Sequence, residues 1–273
     1  MSICKRFIAL FVTAALGAAL TGCAVTEPRT TVQVGGQTVV VDESLEQSGF
    51  SEEDFSTDPD TGRVTCLSRV ALTGIDISSH QGEIDWTAVA GDGIDFAMLR
   101  VGKRGYSEGA IGADSRFEEN YTAAVENGLE VGAYFFSQAI SVEEAEEEAQ
   151  FVLDTLNGRN MDLPVVFDWE QIVEDEARTD DVDTETVTAC ALAFCQRIQE
   201  GGYSTAVYFN ASLGYIQYDY AQLSDLDSWY AQYDGSWPTF AYSFDLWQYS
   251  KSGTVAGIGG NVDMDLYFLP VVE

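Results

Sequence analysis

From residue 72 onward, short apolar runs alternate with amphipathic stretches, and the hydrophobic period switches between two and about 3.6. The segments 73–78 (TGIDIS), 94–101 (IDFAMLRV), 129–137 (LEVGAYFFS), 163–170 (LPVVFDWE) and 204–210 (STAVYFN) read as strands. Between them, 115–127 reads as a helix that Gly128 ends. Ser141 with Glu144 forms a capping box that opens a helix to about 156, and 184–200 is a helix closed by Gly201 and Gly202. The acids of EEAEEE (143–148) read as a solvated helix face. After 210 the helices shorten, and 228–233, 244–250 and 264–269 follow as strands. Strands alternating with helices predict an α/β fold with a parallel sheet. Eight strands in about 200 residues predict a small closed TIM-like (β/α) barrel with fewer than eight helices, irregular over its last three strands.

Residues 24 to about 71 differ. They are rich in Thr, Ser, Gly, Asp and Glu and carry turn signals at Gly35-Gly36 and Asp58-Pro59-Asp60. TVQVGGQTVVV suggests a small hairpin, and the rest reads as an acidic tether whose order the sequence leaves open. The barrel is expected over 72–273. At the N-terminus, Lys5 and Arg6 precede an apolar stretch from Phe7 to Leu20, too short for a comfortable membrane span. Leu20-Thr21-Gly22-Cys23 resembles the lipobox of bacterial lipoproteins. That resemblance implies cleavage before Cys23, acylation of its sulfur and anchoring on the outer face of the cell membrane; a plain secretory signal or an uncleaved anchor are the alternatives.

The chain has 273 residues, 46% hydrophobic, with 45 acidic against 13 basic side chains and a formal charge of −32. Losing residues 1–22 removes Lys5 and Arg6 and no acid, which moves the charge to −34. Such a chain is repelled by nucleic acid, and no basic recognition patch is present. Cys66, Cys190 and Cys195 are an odd number; Cys190 and Cys195 lie five apart on a helix and point to different sides, so buried free thiols are expected. A single histidine, His80, leaves too few ligands for a zinc site. Without a G-x-S-x-G elbow, no Ser-His-Asp site is expected either. No cofactor, metal or partner chain is called for, and a monomer is expected. His80 reads as hydrogen-bonded beside the first strand.

The fourth strand poses the chemical question. Residues two apart on a strand share a face, so Asp168 and Glu170 project together while Phe167 and Trp169 project away. They stand at the C-terminal end of the strand, where barrels gather their ligand sites. Two close carboxylates disfavour joint ionisation, which raises one pKa and suits glycosidic cleavage. Strand-end acids that cap a helix or meet arginines are the plainer alternative. Asp76, Arg100, Tyr134, Tyr208, Asn210, Tyr233, Trp247, Gln248 and Asp263 occupy other strand ends. Aromatics beside carboxylates make a sugar platform, although each aromatic alone could equally fill a core.

In order along the chain, GIDISSHQGEIDW, FAMLRVG, RGY, GAYFFS, PVVFDWE, VYFN, WYAQY, LWQYS and GNVDMD resemble the motifs of glycoside hydrolase family 25, the muramidases of bacteria and their phages. The resemblance covers 73–269. It implies an irregular (β/α) barrel that cleaves the β-1,4 bond between N-acetylmuramic acid and N-acetylglucosamine in peptidoglycan, retaining configuration, with the substrate's acetamido oxygen as internal nucleophile. It implies Glu170 as general acid and Asp168 as the residue that steadies the acetamido group or the oxocarbenium-like charge. Asp76 and Asp263 become supporting acids. Many relatives carry His where this chain has Phe135, which puts one substrate contact in doubt. A glycan-binding lipoprotein that does not cut, and a glycosidase for another N-acetylated glycan, are the competing readings.

Overall fold

Seven strands run in one direction around the barrel and the eighth runs against them. The computed structural model describes residues 29–173, 175–233 and 235–270. Its barrel strands are β1 (Ala71–Ile77), β2 (Phe96–Arg104), β3 (Glu130–Ser137), β4 (Val165–Trp169), β5 (Thr205–Asn210), β6 (Asp227–Ala231), β7 (Leu246–Gly253) and β8 (Val262–Phe268). Neighbours from β1 to β7 pair in parallel. Strand β8 pairs antiparallel with both β7 and β1 and so closes the barrel. Among the described residues five α-helices cover it: α1 (Trp86–Gly91), α2 (Phe117–Glu126), α3 (Val142–Leu156), α4 (Thr184–Glu200) and α5 (Tyr220–Leu223). The expected irregular barrel with fewer than eight helices is therefore what the chain forms.

Alternation along the strands creates two separate cores. On β4, Val166 faces a core inside the barrel with Phe96, Met98, Ala206 and Leu246, whereas Val165, Phe167 and Trp169 face the outer core beneath the helices. Gly74 makes the inner core possible, because a Cβ there would stand 2.2 Å from the Phe96 ring. Helix α4 starts at its cap Asp183, whose carboxylate accepts from the Thr186 N–H at 2.8 Å, and presses Phe194 onto Phe167 with ring centroids 5.2 Å apart. Cys66, Cys190 and Cys195 are free and buried, and burial pushes the Cys190 and Cys195 thiols up to about 12.

The segment expected as a tether contributes to the outer core instead. Antiparallel pairing joins Thr31–Val34 to Gln37–Val40 and Phe55–Thr57 to Val64–Cys66. Val41, Phe50, Phe55, Val64 and Cys66 are buried. Phe50 packs on Phe244 and Phe268, and Phe55 meets the edge of Trp247 at 5.2 Å. The physical reason is the missing helical cover over β7 and β8. Their outward aromatics need a lid, and the hairpin supplies one, at roughly 1.5–3 kcal/mol for each phenylalanine buried.

A second correction falls on the acids of α3. Ser141 caps this helix as expected, but Glu148 is fully buried rather than solvated. Its carboxylate accepts from Arg104 Nε at 2.7 Å and from Ser137 Oγ at 2.6 Å. A buried acid with a guanidinium on one oxygen and a hydroxyl on the other is the arrangement in which burial is tolerable. The predicted lipobox, with Cys23, lies outside the described residues.

Candidate active site

The C-terminal ends of the parallel strands open into a cleft of about 260 Å³. Strand register brings its members together: Arg100 lies beside Tyr134, Asp168 beside Tyr208, and Tyr208 beside Trp229. Because β8 is reversed, its first residues lie at the same end as the last residues of its neighbours, so Asp263 pairs directly across from Asp76. Asp76, Arg100, Tyr134, Asp168, Glu170 and Asp263 all line the cleft, as do Tyr208, Tyr233 and Gln248.

Glu170 follows the last residue of β4 and its backbone is held from behind. Fully buried Gln138 donates from Nε2 to the Glu170 carbonyl at 2.7 Å, while its Oε1 accepts from Thr179 Oγ1 at 3.1 Å. Trp169 points outward and donates from Nε1 to the Ala139 carbonyl at 3.1 Å. Burial, and after it the charge of Asp263, pushes the Glu170 carboxyl up to about 7. Burial, then Glu170, holds Asp168 well above the usual carboxylate range, against the opposing pull of Arg100. Desolvation therefore contributes more than the mutual repulsion on which the sequence argument relied. Asp168 Oδ1 is buried without a hydrogen-bond partner among the described residues.

Opposite this pair, one amide organises the wall. Gln248 donates from Nε2 to Asp76 Oδ2 at 2.6 Å, and its Oε1 accepts from Tyr208 OH at 2.9 Å and Tyr233 OH at 2.5 Å. Asp76 is held well above the usual range by burial, then by Asp265 and Asp263. Burial raises Asp263 as well. Arg100 is fixed from its far side, where Asp114 Oδ2 accepts from its Nε at 2.9 Å and lies 2.8 Å from its Nη2. A carboxyl raised to about 7, among further carboxyls raised by burial and one cation, can deliver a proton to a leaving oxygen and then balance a developing positive charge. Among the described residues no group of three or more His, Cys, Asp or Glu side chains is arranged to hold a metal ion.

Two expected binding residues are elsewhere. Trp247 is fully buried in the outer core and donates from Nε1 to the Gln232 carbonyl at 3.1 Å, because it falls between inward-facing Leu246 and Gln248. Asn210 accepts from the Leu213 N–H at 3.1 Å and borders a neighbouring groove. Phe135 packs outward against Phe151, so its side chain is no cleft contact; Phe136 is one. His80 is exposed at the rim, where its backbone N–H donates to Ser78 Oγ at 3.2 Å.

Sequence reasoning missed Asp265 and Trp229. Asp265 is fully buried one step below Asp263 on the same face of β8, and its Oδ1 accepts from Trp229 Nε1 at 2.9 Å. Trp229 lines the cleft and makes edge contacts with Tyr134 and Tyr208. The spacing of two that links Asp168 to Glu170 also links Asp263 to Asp265, so the signal was present. Gln138 carried no such signal, since its contacts are to backbone carbonyls and a distant threonine.

Comparison with known proteins agrees with this architecture. A sequence model described as Glycosyl hydrolases family 25 matches residues 75–258. The chain is 27% identical to the autolytic lysozyme of Clostridium acetobutylicum over 194 residues, which are 71% of this chain and 55% of that protein's length. It is 27% identical to lysozyme M1 of Streptomyces globisporus over 228 residues, 79% of this chain and 74% of that protein. Among solved structures, a bacterial lysozyme from Streptomyces coelicolor superposes with a TM-score of 0.60 at 26% identity, covering 72% of this chain and 91% of that one.

Proposed function

The chain belongs to glycosyl hydrolase family 25, and from that premise we propose that it is a muramidase hydrolysing the β-1,4 bond between N-acetylmuramic acid and N-acetylglucosamine in peptidoglycan. The observation that carries this reading is the pairing of Glu170, pushed up to about 7, with Asp168 at the mouth of the barrel. A carboxylic acid with that pKa holds its proton in mildly acidic solution and in about half of the molecules at neutrality, and can release it to a glycosidic oxygen.

In this mechanism Glu170 protonates the leaving oxygen as the bond to the anomeric carbon breaks. Asp168 accepts from the N–H of the substrate's acetamido group, which directs the acetamido oxygen to the anomeric carbon from the opposite face. The partnerless Asp168 Oδ1 supports this role, because a buried carboxylate oxygen is costly until a donor reaches it. Glu170, now ionised, then takes a proton from the water that opens the intermediate, and configuration is retained. Asp76 and Asp263 keep the wall acidic, and the Gln248 amide fixes Asp76. Mass analysis of reduced fragments tests the bond assignment: products ending in reduced N-acetylmuramic acid support it, and products ending in reduced N-acetylglucosamine contradict it.

We further propose that the enzyme is a lipoprotein, anchored through Cys23 outside the cell and active in wall remodelling. The hairpin of Thr31–Val34 with Gln37–Val40 limits its reach, because the Val41 N–H donates to the Thr30 carbonyl at 2.9 Å. The step from Cys23 to Thr30 spans at most about 25 Å when fully extended. Loss of membrane association in Cys23→Ala cells checks the anchor.

A further inference from the structure

A second groove of about 590 Å³ runs beside the catalytic cleft, and Tyr233 is the wall between them. On the cleft side the Tyr233 hydroxyl donates to Gln248. On the other side its ring is covered by Lys251, whose Nζ lies 5.6 Å from the ring centroid. Tyr230, Gln232 and Thr239 complete the groove with Asn210. The floor is mostly carbon, and Lys251 supplies a positive charge at its edge.

Most cations among the described residues are neutralised: Arg63, Arg100, Arg104, Arg116, Arg159, Arg178 and Arg197 each pair with a carboxylate. Lys251, like Arg29, Arg69 and Lys103, has no carboxylate within ion-pair distance among the described residues, and it is the one of these four that is exposed along the groove. With 45 acidic side chains in the chain, an anionic ligand is repelled by most of the surface. An unpaired, exposed cation on the groove beside the catalytic mouth is a landing point for an anionic group.

We infer that this groove binds the acidic peptide arm of the glycan, with Lys251 pairing to a peptide carboxylate while the sugar chain lies in the cleft. The inference rests on the muramidase reading. A muramic acid ring carries its peptide as a side branch, so the arm must leave the cleft laterally, and a single side chain separates cleft from groove. The carbon-rich floor suits small aliphatic peptide residues, and Tyr233 holds Lys251 over its groove-side face.

The test uses soluble, uncross-linked peptidoglycan strands in two forms, with peptide carboxylates free or capped as methylamides. Lys251→Ala is expected to raise KM on free-carboxylate strands roughly two- to fivefold, the size of one solvent-exposed ion pair. Lys251→Arg is expected to restore it, and capping is expected to abolish the difference between wild type and Lys251→Ala. An equal KM change on both strand types, or no change on either, overturns the peptide assignment while leaving the muramidase reading intact. A fall in kcat on both types assigns Lys251 to Asp263, whose ionisation its charge also favours, and overturns the peptide assignment too. A wild-type enzyme that cleaves neither form overturns both readings.

Discussion

Asp263 stands directly opposite Asp76 because β8 runs against every other strand of the barrel. Reversal brings the start of β8 to the catalytic mouth, and period two then buries Asp265 one step below, beside the same Asp76. Three carboxyls thus share a space that burial makes unfavourable for charge. An acid whose folded pKa is raised binds more protons folded than unfolded. Its contribution to stability is therefore fully present below the ordinary carboxylate range and lost as pH rises through the folded value.

Asp265→Asn removes one such group and keeps an oxygen for the Trp229 N–H. The variant is expected to gain thermal stability over wild type, with a larger gain at pH 8 than at pH 4. Melting curves across that range check it; a gain independent of pH would contradict the raised Asp265.

Gln248 joins Asp76 to Tyr208 and Tyr233 through one amide. Gln248→Leu keeps the approximate volume and removes all three hydrogen bonds. Catalytic groups displaced by about 1 Å lose on the order of a hundredfold in rate, so kcat is expected to fall by tenfold to a hundredfold. Initial rates, read beside circular dichroism to show retained fold, decide this.

Phe55 is the point at which the second hairpin, Phe55–Thr57 with Val64–Cys66, holds the barrel. Phe55→Ala is expected to cost about 3–5 kcal/mol and to make Trp247 fluorescence more solvent-exposed. A urea midpoint unchanged from wild type would mean that the hairpin adds nothing to the core.

A formal charge of −32 opposes binding to a wall that carries acidic polymers. Salt screens this repulsion as the Debye length shrinks from about 30 Å at 0.01 M to about 10 Å at 0.1 M. Activity on such walls is expected to rise over that interval, and flat or falling activity would count against the argument.

Much of the fold and part of the site were legible in the sequence for one reason: strand alternation survives in the amino-acid pattern. It separates Phe167 and Trp169 from Asp168 and Glu170, and it would have found Asp265 had it been applied to β8. It also argues against Trp247 as a binding residue, since Gln248 beside it faces the cleft and Trp247 must then face the outer core. The glycines of TVQVGGQTVVV announce the first hairpin, which forms as Thr31–Val34 with Gln37–Val40. The second, Phe55–Thr57 with Val64–Cys66, was illegible because Phe50 and Phe55 are isolated in a polar, acidic run, and only the uncovered outer face of β7 and β8 explains their burial. Glu148 lies three residues after Ala145 and four before Val152, on the buried stripe of its helix, so helical period separates it from Glu146 and Glu147; what the local sequence hides is its partner Arg104, 44 residues away.

The central claim is that Glu170 is the proton donor, and reducing-end release from purified peptidoglycan by wild type and Glu170→Gln tests it most directly. The isosteric amide cannot donate an acidic proton, so kcat is expected to fall by about 10²–10⁴-fold with little change in KM. Wild-type kcat is expected to fall as pH rises through about 7, where Glu170 loses its proton. A Glu170→Gln enzyme that keeps full activity, with the same alkaline limb, would contradict the account.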